Sequence, residues 1–122
     1  MSKIYQNEQV YHLIYAELIN AARYRGFITY QYIAKIMGLP LKGNYMGLEV
    51  GRILGAISEE EVKHGRPMLS SVAVGVSGEP GEGFYSLAKQ MGFDFKDDSK
   101  NKRKFWKNEL KQVYEIWKFT LD

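Results

Sequence analysis

No cysteine occurs among the 122 residues, which excludes disulfides, a thiolate nucleophile and any Cys-ligated metal or cluster. Histidine is nearly as scarce: His12 and His64 are too few and too far apart in sequence to form a metal-ligand pattern. No apolar run approaches membrane-spanning length, and MSKIYQNEQV lacks the apolar core of a signal peptide, so a cytoplasmic protein is expected. The formal charge of +3 permits a nucleic-acid partner without requiring one. Low-complexity tracts and internal repeats are missing too. What remains is 45% hydrophobic and 14% aromatic, the composition of one folded domain over residues 1–122.

The periodicity predicts a mostly helical α+β domain. Val10, Leu13, Ile14, Leu18 and Ala21 recur at helical spacing and predict a helix over 7–25, ended by a left-handed Gly26. A helix-turn-helix is expected over 29–58. Thr29 is its N-cap, Tyr30, Ile33, Ala34 and Met37 form the first stripe, and Gly38-Leu39-Pro40 is the stop. Met46, Val50, Ile53, Leu54 and Ile57 form the second stripe. Ser58 with Glu61 has the Ser-x-x-Glu form of a capping box, so a new short helix is expected to start there.

Beyond Pro67 the alternation of Val72, Val74 and Val76 predicts a strand, and Ser77 to Gly83 a turn. Residues 68–83 are therefore expected to form a short β-hairpin or wing. A helix over 84–91 and a long C-terminal helix over 99–119 complete the chain. Trp106, Leu110, Val113, Tyr114 and Trp117 share one face of the last helix. That face either docks on the domain or serves as a homodimer face.

Two constellations bear on function. Gly47, Gly51 and Gly55 lie at i, i+4 and i+8 of the second stripe. Each glycine in a helix costs about 1 kcal/mol relative to alanine, so the series implies close helix packing or close approach of a ligand. The second is the cationic group Lys100, Lys102, Arg103, Lys104 and Lys107. Cations near a helix N-terminus oppose the macrodipole, so phosphate contact competes with a merely solvated face. The run Glu59, Glu60, Glu61 would repel phosphate if it shared that surface. Ser70 and Ser71, with His64 nearby, have the residue types of a hydrolase but no Gly-x-Ser-x-Gly elbow. Ser86-Leu87-Ala88-Lys89 matches Ser-x-x-Lys without its companion motifs. Gly78 to Gly83 lacks the spacing of either phosphate-binding fingerprint.

The order Ile28-Thr29-Tyr30-Gln31-Tyr32-Ile33-Ala34, Gly38-Leu39-Pro40, Val50-Gly51-Arg52-Ile53-Leu54, then Gly78-Glu79-Pro80-Gly81-Glu82-Gly83-Phe84 resembles one known family. It is similar to the winged-helix, C-terminal half of the O6-alkylguanine-DNA alkyltransferases and of the alkyltransferase-like proteins. The resemblance implies minor-groove contact through a small-residue recognition helix, with Tyr30 assisting rotation of a nucleotide out of the stack. Leu48 stands at the position of the family's Arg finger. Met68, Leu69 and Ser70 stand where the family has its reactive Cys, His and Arg, so alkyl transfer to cysteine is excluded. The Pro-x-Leu-Ser-x-x-Val … Gly-x-Pro-Gly-x-Gly-Phe run also resembles short bacterial proteins of no assigned activity.

The leading expectation is thus a non-enzymatic winged-helix protein that binds DNA through Tyr30, Lys42, Asn44, Tyr45, Arg52, Lys102, Arg103 and Lys104. It has no catalytic residue, metal or cofactor, and no membrane partner. The alternatives are a protein-interaction module of the same shape and a hydrolase built on Ser70 or Ser71.

Overall fold

The computed structural model describes residues 8–40 and 44–118. Five helices and two very short strands follow in the order α1 (Gln9–Arg23), β1 (Ile28–Thr29), α2 (Tyr30–Met37), α3 (Asn44–Lys63), β2 (Ala73–Val74), α4 (Glu82–Gln90) and α5 (Ser99–Trp117), with a 3-10 turn, Leu69–Val72, ahead of β2. The domain is mostly helical, with a two-stranded sheet.

Local signals account for several boundaries. The Thr29 hydroxyl accepts from the Tyr32 N–H at 3.1 Å and caps α2, which ends on a left-handed Gly38 at φ 74°. Asp98 caps α5 by accepting from the Asn101 N–H at 2.9 Å. The stop of α1 differs from expectation: the left-handed residue is Arg25, at φ 55°, rather than Gly26. An L residue rarely adopts that conformation.

Tertiary contacts overrode two of the local readings. No helix restarts at Ser58, because α3 runs unbroken for 20 residues. The Ser58 hydroxyl is buried and engaged with Ser70, so it is not available as a cap. Nor does the segment from Met68 form an antiparallel wing. The Ser71 hydroxyl and Ser71 N–H both donate to the Met68 carbonyl, at 2.7 and 3.1 Å, and the Ser70 N–H donates to Ser58 Oγ at 3.1 Å. These serine bonds satisfy backbone groups locally and in competition with a sheet ladder, and the chain winds into a 3-10 turn. Only Ala73 and Val74 are extended, and they pair in parallel with Ile28 and Thr29. Val72 and Val74 are both buried, whereas Val76 is 92% exposed in the following loop.

The 3-10 turn is the centre of the fold, with α1, α3 and α5 packed around it. Ile14 and Leu18 of α1, Ile33 of α2, Ile53 and Ile57 of α3 and Val113 of α5 enclose Leu69 and Val72. A second apolar cluster joins Met68, Phe84, Tyr85 and Ala88 to Trp106. Trp106 donates from Nε1 to the Ser71 carbonyl at 2.9 Å, and Trp117 lies partly buried with the Arg66 guanidinium over its ring. Both tryptophans are thus occupied within the chain. The tryptophan face thus docks on the domain, the first of the two uses expected of it.

The glutamate run also turns out to be structural in part. Glu61 is fully buried, accepts from the Tyr15 hydroxyl, and receives Arg66 Nε at 3.0 Å and Nη2 at 2.7 Å. Among the described residues no helix is long and apolar enough to cross a membrane.

Candidate functional site

Between α3 and the start of α4 runs a groove of about 500 Å³, lined by Tyr30, Gly51, Leu54, Ser70, Phe84 and Leu87 among others. Its floor is the glycine face of α3. A Cβ placed on Gly47 or Gly51 would meet nothing within 4 Å, and one on Gly55 would touch only Leu87, at 3.9 Å. Packing therefore explains at most one of the three glycines. The other two leave α3 backbone open towards solvent and the groove. Leu48, 54% exposed, and Tyr45 stand on the same stretch of helix.

Tyr30 is fixed at the wall of this groove. Its hydroxyl accepts from the Gly81 N–H at 2.9 Å, and its ring lies where a Cβ on Gly75 would sit 3.6 Å away. A Cβ there would make only ordinary van der Waals contact with the ring, so the loop already lies against Tyr30 at packing distance. Burial pushes the Tyr30 phenol above its usual range, with the Gly81 hydrogen bond opposing the shift, so at neutral pH it is an uncharged hydroxyl. At the bottom, Ser70 is only 5% exposed and its Oγ accepts from Ser58 Oγ at 2.7 Å.

The loop carrying Gly81 is tied to α5 by ion pairs. Lys102 Nζ lies 2.8 Å from Glu82 and 3.6 Å from Asp97, and Arg103 Nη2 lies 3.1 Å from Glu79. These contacts divide the cationic group that sequence treated as one. Lys102 and Arg103 brace the groove wall through carboxylates, while Lys104 is exposed. Of the other expected contact residues, Tyr30 and Arg52 line the groove. Arg52 also pairs with Glu49 at 3.0 Å. Asn44 and Tyr45 are exposed at the start of α3, and Lys42 lies outside the described residues. The groove residues that sequence reasoning missed are Leu54, Phe84 and Leu87. Their helical stripes gave no sign that the two helices leave a gap between them.

For the hydrolase alternative the geometry supplies no base. Ser71 donates to the Met68 carbonyl and Ser70 is paired with Ser58. His64 is exposed, with Nδ1 2.9 Å from the Glu60 carbonyl and 3.2 Å from its carboxylate. Neither serine has a base in hydrogen-bond reach among the described residues. No protein-family model, curated protein or solved structure matches the chain.

Proposed function

We propose that this chain is a non-enzymatic DNA-binding protein that uses its helix-turn-helix, α2 and α3, without an antiparallel wing. The bare face of α3 is approached closely by the duplex, and the groove of which that face is the floor receives a flat group turned out of the stack. The observation that carries this reading is the open space over Gly47 and Gly51. Helical glycines without a packing partner forgo roughly 1 kcal/mol at Gly51 and about half that at Gly47 in the first turn, which suits a helix whose backbone must be approached closely from outside. The uncharged Tyr30 hydroxyl and the largely apolar lining fit a neutral ring better than a charged ligand. The resemblance to the alkyltransferase-like proteins points the same way.

Titration of a labelled duplex at roughly 50 and 200 mM salt tests the reading, since counterion release makes phosphate-dependent binding weaken steeply over that range. Salt-sensitive binding is expected, and no binding at the lower salt contradicts it. One observation favours a second reading, a protein-interaction module: the exposed Leu48 gives the groove an apolar lip that a partner's helix could cover.

A further inference from the structure

Lys100, Lys104, Lys107 and Lys111 occur on α5 at i, i+4, i+7 and i+11, one continuous face of the helix. All four are exposed, whereas Trp106, Glu109 and Val113 on the opposite face are buried. The face runs for about 16 Å at 1.5 Å per residue.

Two populations of cation therefore share this helix. Those on its flank or end have carboxylate partners: Lys102 with Glu82 and Asp97, Arg103 with Glu79, and Lys118 with Glu115. The four on the outer face have no ion pair among the described residues, although the Glu115 carboxyl, held below its usual range chiefly by the Lys118 hydrogen bond, also feels Lys111. Like charges at i, i+4 destabilise a helix, and Lys100 in the first turn also opposes the macrodipole. The arrangement therefore costs stability, offset within α5 only where Lys111 lies near Glu115. The four positive charges on one face compare with a formal charge of +3 for the whole chain, so this face is a local concentration of positive charge.

We infer that the outer face of α5 is a second nucleic-acid contact, a rail that lies along the phosphates of one strand of a duplex. Its four cations, spread along its length, can each meet a phosphate of the backbone beside it. An anionic bilayer is the weaker fit, because a helix lying in a membrane surface needs an apolar face to bury there. The apolar face of α5 is already docked on the domain. This inference rests on the DNA-binding reading and assigns the phosphate contacts to a surface separate from α3.

The test compares the wild-type chain with two variants of equal charge change, Lys104→Gln/Lys107→Gln on the rail and Lys63→Gln/Lys96→Gln away from it. Binding of a labelled duplex is measured across a salt series. Losing two phosphate contacts should reduce the slope of log affinity against log salt by about 1.8 for the rail pair, with little change for the control pair. Equal slopes for both variants, whether lowered or not, overturn the rail while leaving the α3 contact standing. Binding of phosphatidylserine vesicles that depends on Lys104 and Lys107, with duplex binding unaffected by them, overturns it as well. If the wild-type chain binds no duplex at any salt, the DNA-binding reading fails, and the rail with it.

Discussion

Replacing Gly51 by alanine should make this protein more stable and worse at its task. Gly51 lies in the body of α3, has no positive φ, and leaves a Cβ nothing within 4 Å to meet. The substitution therefore brings the helix-propensity gain without a steric penalty, about 1 kcal/mol. For a domain of this size that corresponds to a rise in melting temperature of roughly 4 °C. Gly47 lies in the first turn of α3, where propensity counts for less, and should add about half as much. Urea or thermal unfolding followed by circular dichroism reads the effect, with unchanged m confirming that the change lies in stability. A larger residue, Gly51→Leu, keeps the helix and fills the groove floor. It should leave stability near or above wild type while weakening duplex binding at least about tenfold, or 1.4 kcal/mol. A loss of stability in Gly51→Ala would show that the face is occupied within the fold, and the argument from open space would be refuted.

Other consequences concern the buried polar groups and the groove wall. Arg66→Ala leaves the buried Glu61 carboxylate with only the Tyr15 hydroxyl, and should destabilise by about 3 kcal/mol in chemical denaturation. Glu109 accepts from the Met68 N–H at 3.0 Å, and burial holds its carboxyl above the usual value of 4.5. The folded state thus holds this proton more tightly than the unfolded chain. The contribution to stability accordingly falls as pH rises from the unfolded value through the folded one. Glu109→Gln keeps an acceptor for Met68 and removes that decline, so its urea midpoint should gain on wild type between acid and neutral pH. A constant difference across that range would contradict the assignment. Tyr30→Phe removes the acceptor of the Gly81 N–H and should cost about 1 kcal/mol, with faster amide exchange at Gly81 as its specific signature.

Much of the helical framework was legible because its signals are local. Thr29 and Gly38 bound α2, and Asp98 starts α5, through bonds that span no more than a few residues. The stretch from Met68 was read wrongly because its decisive partner is Ser58, 12 residues away, and side-chain alternation cannot register a hydroxyl arriving from another helix. The same bond explains why the capping-box pattern at Ser58 failed to start a new helix. The parallel pairing of Ile28 with Ala73 joins segments with two helices between them, beyond the reach of any periodicity. At the site, the glycine spacing was visible but its meaning was not, since open space and close packing leave the same trace in a sequence. The cations followed suit: Lys102 and Arg103 were indistinguishable from Lys104 until Glu82 and Glu79 were brought beside them.

The most direct test of the central claim is the amide spectrum of the labelled protein during addition of a duplex at low salt. Gly47, Gly51 and Gly55 each report from the floor of the groove, and Gly81 reports from the loop that holds Tyr30. The account predicts that these four amides shift together and saturate with the duplex. Binding that leaves all four unmoved would contradict it.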